Sequence, residues 1–158
     1  MSKYLVFDMD GTIVDFYGVT DWQKAIDINQ DATPYAIAKP IYNMFQLNAI
    51  IKAFRKMGYK IIVSSWLSKV NTAPEFQQEI INAKLAWLKE HSFFYDEVYF
   101  LPYGTDKSSA ISHLNGLKIL IDDNDEVLKS WHGPTIDAKY NIIESLVGVL
   151  GGHVRENA

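Results

Sequence analysis

The sequence predicts an α/β fold of the doubly wound, Rossmann-like kind, three layers deep, with a parallel sheet between helices. Three observations lead there. Apolar runs rich in branched residues alternate with stretches of helical period, a pattern that implies right-handed βαβ units. The first run, YLVF, leads straight into two aspartates, and a later one, LKILI, leads straight into two more. At 158 residues the length suits one domain with a core of its own, read as spanning 1–158 with a small cap insert at about 16–42.

In chain order, Tyr4 to Thr12 reads YLVFDMDGT, a buried strand that delivers Asp8 and Asp10 and then turns at Gly11. Side chains two apart on a strand share a side, so the two acids are expected to face one small space. Residues 16–40 mix aromatics with Asp, Asn, Gly and Pro and lose the strong period. Within them Thr20 and Gln23 offer a helix start, and Pro34 and Pro40 limit its continuation. From Ile41 the helical period returns through Met44, Leu47, Ile51 and Phe54, with a stop at Met57-Gly58. Lys60 to Ser65, KIIVSS, is the second strand.

A loop follows, and Thr72 with Glu75 fits a capping box opening a helix. Phe76, Ile80, Ala83 and Trp87, joined by Ile81, Leu85 and Leu88, form its apolar face. Glu97 to Leu101 is the third strand. Pro102, Tyr103 and Gly104 turn the chain, and Thr105 or Asp106 caps a helix expected to reach Leu114. Leu117 to Ile121 is the fourth strand, followed by Asp122, Asp123, Asn124 and Asp125. A short helix at Glu126 to Ser130, an edge strand at Pro134 to Asp137 and a closing helix through Tyr140, Ile143, Leu146 and Leu150 complete the layout, with GGHVRENA as a terminal tail.

Ligand sites on such sheets lie beyond the carboxyl ends of the strands. There the sequence puts Asp8 and Asp10, Ser64 and Ser65, and Asp122 and Asp123, while Lys107 opens the helix after the third strand. Acids so grouped suit a magnesium ion, which takes oxygen ligands and keeps room for a phosphate. A lysine and a hydroxyl suit the remaining phosphate oxygens, which leaves one carboxylate free to attack phosphorus and a second to move the proton. Lys107 is the more telling of these, because a lysine in a first turn opposes the helix dipole. His91, His113, His132 and His153 are scattered without ligand spacing.

DMDGT after an apolar strand, the serine ending IIVSS, the lysine of GTDKS and the acidic pair of LIDDND together resemble the four motifs of the haloacid dehalogenase superfamily of phosphohydrolases. The resemblance implies that Asp8 is the nucleophile, that Asp10 is the general acid/base and lends a backbone carbonyl to Mg2+, that Ser64 binds phosphate and that Lys107 offsets its charge. Of the acidic pair it implies one magnesium ligand, with Asp123 favoured and Asp122 open. IIVSSW, the TDK triplet and LIDDND are similar to the 5'(3')-deoxyribonucleotidase branch. That likeness implies nucleoside monophosphates as substrates, a phosphate contact from Ser65, and cap aromatics stacking on the base, with Phe16 and Trp66 as the candidates ahead of Tyr17 and Trp22. The thirty-odd residues available for a cap here are fewer than that branch carries.

A net charge of -4 argues against a wide phosphate-binding surface, so the expected partner is a small phosphorylated substrate rather than nucleic acid. With no cysteine, disulfides and thiolate metal sites are excluded. The direct run from Met1 into the first strand predicts no leader and no membrane span, hence a cytoplasmic protein. Oligomeric state is open. Other readings are a phosphatase acting on another small ester or on polynucleotide ends, a receiver-like module, and an inactive phosphate-binding module. A receiver would carry its phospho-accepting acid after the third strand, where this chain has Leu101-Pro102, and no catalytic position here is vacant.

Overall fold

The computed structural model describes residues 1–152. Five strands form one parallel sheet: β1 (Lys3–Phe7), β4 (Tyr59–Trp66), β5 (Glu97–Leu101), β6 (Leu117–Asp122) and β7 (Thr135–Asp137), in the order β5-β4-β1-β6-β7. The chain builds outward from β1 to β4 and β5, then crosses back to add β6 and β7 on the other side, so the strand order reverses at β1. A crevice opens at such a reversal. Register decides what faces it. Phe7 lies level with Val63 on β4 and with Ile121 on β6, which brings Asp8, Ser64 and Asp122 level with one another at the next step.

Alternation along the strands divides the core in two. Leu5, Phe7, Ile61, Val63, Ile119 and Ile121 point to the larger layer, where they meet α3 (Met44–Lys56), α4 (Pro74–Glu90) and α7 (Ile142–Leu150) through residues such as Phe54, Trp87 and Leu146. Tyr4, Val6, Ile62 and Leu120 point the other way, onto Ile111, Val127 and Trp131 around α5 (Lys107–Ala110) and α6 (Asp125–Ser130). The fold is therefore the three-layer, Rossmann-like α/β architecture that the sequence implies.

Between β1 and α3 the insert holds α1 (Trp22–Asp27) and α2 (Thr33–Ile37), its ends drawn together by β2 (Val14–Asp15) pairing antiparallel with β3 (Lys39–Pro40). Phe16 stacks on Tyr35 at 4.3 Å between centroids and 8° between planes, and packs beside Tyr17 and Trp22. An aromatic cluster thus gives this short segment a small core of its own making.

Some boundaries differ from expectation for local reasons. The capping box at Thr72 and Glu75 does not form: α4 begins at Pro74, after Ala73, with no side-chain cap. Proline at the first position brings a φ already suited to the helix and one unpaired N–H fewer. Thr20 does not open α1 either, since Asp21 precedes it in the left-handed region at φ 58. After Asp106, whose carboxylate accepts from Ser108 N–H, α5 stops at Ala110 rather than Leu114. Serines at 108, 109 and 112 favour local backbone bonding over helix. Asn43 caps α3 by accepting from the Gln46 N–H at 3.0 Å, so the helix begins at Met44, three residues later than the restart of the period at Ile41. Of the expected tail, 153–158 lies outside the described residues. Among the described residues no helix is long and apolar enough to cross a membrane.

Candidate active site

The last bond from this strand into the sheet is Asp8 N–H to the Ile121 carbonyl at 3.0 Å, and the backbone then folds so that the amides of Thr12, Ile13 and Val14 all donate to the Met9 carbonyl. Asp8 and Asp10 both line one cleft, as expected, and each is held by a different lysine. Gly11 sits at φ 78, and a Cβ there would fall 2.2 Å from Asp123 Oδ2, so both the turn and the closeness of the acidic loop require glycine.

Lys107 is 3% exposed and its ammonium donates to Asp8 Oδ1 at 3.0 Å, to Asp122 Oδ2 at 2.8 Å and to the Ser64 carbonyl at 3.1 Å. Thr12 Oγ1 donates to Asp8 Oδ2 at 3.0 Å and lies 3.3 Å from Asp123 Oδ1. A hydroxyl has one proton, so it serves only one of those carboxylates at a time. Oxygens of Asp8, Asp122 and Asp123 lie within 4.8 Å of one another. Three carboxylates against the single Lys107 ammonium leave two negative charges uncompensated in this inner cluster.

The electrostatic response follows. Burial, reinforced by the nearby Asp8 charge, pushes the Asp123 carboxyl up to about 8. The same two causes raise Asp122 to about 6, against the pull of Lys107. Burial alone would lower Lys107, but Asp8 and Asp122 outweigh it and hold the ammonium above its ordinary value. Protons or a cation must relieve such a cluster. All-oxygen donors, a charge deficit of two and an open side toward solvent fit a divalent cation of the magnesium kind.

Of the remaining residues singled out in the sequence, Ser64 is fully buried and its Oγ has no hydrogen-bond partner among the described residues. A buried hydroxyl left unpaired costs about 1–3 kcal/mol, which favours a ligand acceptor at that point. Ser65, next along the strand, faces the opposite layer and its Oγ accepts from Lys84 at 2.7 Å. The structure thus brings Ser64 to the cluster and turns Ser65 away from it. Phe16, 3% exposed, spends its face on Tyr35. Trp66 is half-buried at the rim, with its Nε1–H donating to the Thr105 carbonyl at 2.9 Å and its ring 4.9 Å from Tyr103.

Lys84 is the residue that the sequence reading passed over. It is 1% exposed on α4 and donates to Asp10 Oδ2 at 3.0 Å, Ser65 Oγ at 2.7 Å and the Trp66 carbonyl at 2.9 Å. Its signal is present in the spacing: Phe76, Ile80, Lys84 and Leu88 form one i, i+4 row, and a lysine inside a buried row needs a partner. Thr12, inside DMDGT, was likewise legible as a residue and not as a contact.

Asp8, Asp10, Lys107, Asp122 and Asp123 floor a cleft of about 770 Å³ that runs between the insert and the loops after β4, β5 and β6, with Thr12, Ser64 and Lys84 behind its surface. Tyr17 and Trp22 stand on one wall, Trp66 and Tyr103 on the other. Burial and the Asp10 charge raise the Tyr17 phenol, so it faces the acids as a neutral hydroxyl.

Neither a family model nor a curated protein matches the chain. Two solved structures share its fold: a chain of a Pnkp1/Rnl/Hen1 complex, at 18% identity and a TM-score of 0.59, and a chain of the Pnkp1/Rnl/Hen1 RNA repair complex, at 17% identity and a TM-score of 0.55. Each likeness covers 87% of this chain but only 46% and 42% of those chains, so this chain spans less than half their length. At such identities the likeness is one of fold.

Proposed function

We propose that the chain is a magnesium-dependent phosphomonoesterase of the haloacid dehalogenase superfamily, working through an aspartyl-phosphate on Asp8, with nucleoside and deoxynucleoside monophosphates as the favoured substrates. One observation carries the reading. Asp8 is gripped by Lys107 and Thr12 in a cluster short of two positive charges, level in the sheet with a Ser64 hydroxyl that has no partner among the described residues.

Asp8, Asp123 and Asp122 would hold the magnesium ion, whose chemistry when bound is to neutralise phosphoryl oxygens. Lys107 lowers the repulsion between the Asp8 carboxylate and an incoming phosphate, and Ser64 Oγ–H donates to a phosphate oxygen. An Asp8 oxygen attacks phosphorus while the bond from phosphorus to the ester oxygen breaks. Burial raises the Asp10 carboxyl against the pull of Lys84, and on this reading Asp10 gives a proton to the departing alkoxide. Asp10 then takes a proton from the water that attacks phosphorus. The bond from phosphorus to Asp8 breaks, and inorganic phosphate leaves with both carboxyl groups restored. On this reading Trp66, at the rim, is the aromatic placed to meet a base. The lack of cysteine agrees with a reducing, cytoplasmic setting.

A second reading keeps the chemistry and changes the substrate to a polynucleotide end. The insert beside the cleft holds two short helices among the described residues, and one fold neighbour is a chain of an RNA repair complex, which favours including a polynucleotide end among the substrates tested. The test is phosphate release from mononucleotides, a 3'-phosphorylated oligonucleotide, sugar phosphates and an aryl phosphate, with magnesium and with chelator, beside Asp8→Asn. Release that needs magnesium and vanishes in Asp8→Asn is expected. If no substrate is turned over above that variant, the reading fails.

A further inference from the structure

Lys84 is a buried cation for which the proposed chemistry has no use, and its surroundings limit what it can do. An ammonium has three protons, and all three are committed, to Asp10 Oδ2, Ser65 Oγ and the Trp66 carbonyl. None remains for a substrate phosphate. Its Nζ also lies 4.8 Å from the centre of the Tyr35 ring, so α2 of the insert closes over it. Asp10, by contrast, is held at one oxygen only: Oδ1 is buried and has no partner among the described residues.

We infer that Lys84 is a positioning residue for proton transfer: it locks the Asp10 carboxyl by Oδ2 and leaves Oδ1 as the oxygen that serves the leaving group. Ser65 and the Trp66 carbonyl, both on β4, fix the ammonium in turn, so a carboxyl on a turn after β1 takes its orientation from the central sheet. Among the described residues the Asp10 carboxyl, two residues past the last sheet bond of its strand, has no other hydrogen-bonded anchor. The inference rests on the phosphatase reading above, in which Asp10 moves the proton.

Protonation of the leaving oxygen matters for an alkyl phosphate and hardly at all for an aryl phosphate with a stable phenolate. The test is therefore the rate of the first turnover, with magnesium, on an alkyl phosphate and on 4-nitrophenyl phosphate, for wild type, Lys84→Met, Asp10→Asn and the double variant. Lys84→Met is expected to slow the alkyl ester about 10- to 100-fold, a part of the roughly 100- to 10,000-fold that general acid–base catalysis contributes, and to slow the aryl ester far less. In the Asp10→Asn background the same change is expected to have no further effect. Equal losses on both esters, a full additional loss in the double variant, or no loss at all would each overturn the inference. Should Lys84→Met not fold, Ser65→Ala, which removes one of the three anchors of Lys84, is expected to show the same discrimination in weaker form, and a uniform or absent effect overturns the inference equally. A wild type inactive on both esters overturns the phosphatase reading and this inference with it, whereas an active wild type with a null result at Lys84 overturns the inference alone.

Discussion

Replacing Lys107 by methionine keeps the length and apolar stem of the side chain and removes the one ammonium in the inner cluster. It deletes three hydrogen bonds, to Asp8 at 3.0 Å, Asp122 at 2.8 Å and the Ser64 carbonyl at 3.1 Å, at a residue 3% exposed. Removing one partner of a buried ion pair costs about 3–5 kcal/mol, because the other partner is left charged in a poor solvent. Two carboxylates are left here, but Asp122 and Asp123 already sit above the normal range and take up protons instead, which holds the cost toward the lower figure. For a domain of 158 residues each kcal/mol corresponds to roughly 2–4 °C, so about 3 kcal/mol lowers the midpoint by roughly 6–12 °C. The assay is thermal unfolding at neutral pH, followed by circular dichroism, with chelator and again with millimolar magnesium. The loss should be larger with chelator than with magnesium, since a divalent cation restores charge to the same carboxylates. A midpoint within about 2 °C of wild type with chelator, or a drop that magnesium does not reduce, refutes the electrostatic account of the cluster.

Magnesium should bind more tightly and stabilise more at pH 8 than at pH 6. Asp122, near 6, and Asp123, near 8, hold protons in the folded chain that the unfolded chain has already lost, so metal-free stability falls as pH rises from the ordinary carboxylate value through these two. A cation replaces those protons, and calorimetry in two buffers of different ionisation enthalpy should record proton release; a pH-independent affinity refutes this. Gly11→Ala should lose about 1–3 kcal/mol in urea unfolding and most of its response to magnesium, because a Cβ would stand 2.2 Å from Asp123 Oδ2 at a backbone with φ 78. Full retention of both would show that the acidic loop moves freely. Thr12→Val, nearly isosteric, should cost about 1–3 kcal/mol by stripping a buried donor from Asp8 Oδ2, with urea unfolding as the check; a change under about 0.5 kcal/mol would show that bond to be dispensable.

Much of this molecule is legible along the chain. Branched runs at Tyr4, Lys60 and Leu117 determine the three central strands, because only a sheet covered on both faces accepts near-continuous apolar residues. Chain order and right-handed crossovers then bring the ends of those strands to one edge, which is why Asp8, Ser64, Lys107, Asp122 and Asp123 could be gathered from sequence. Local chemistry was less reliable. Thr72 and Glu75 have the right spacing for a capping box, yet the helix starts at Pro74 and puts Ala73, not Thr72, at the cap position.

Which of two adjacent serines serves the cluster was beyond any pattern. Ser64 and Ser65 are the same residue type at the same strand end, and register alone, Phe7 level with Val63, turns the first toward Asp8 and the second toward α4. The division of the aspartates likewise belongs to tertiary structure. Strand alternation puts Asp8 and Asp10 in one space, and both line the cleft, but only the packed chain gives each its own lysine, one 99 and the other 74 residues away in sequence. Sequence by itself determined the sheet, its edge and the kinds of group that gather there, since period and composition are local properties. Only the packed chain decided which acid meets which cation, because that pairing is set by distances between elements remote in sequence.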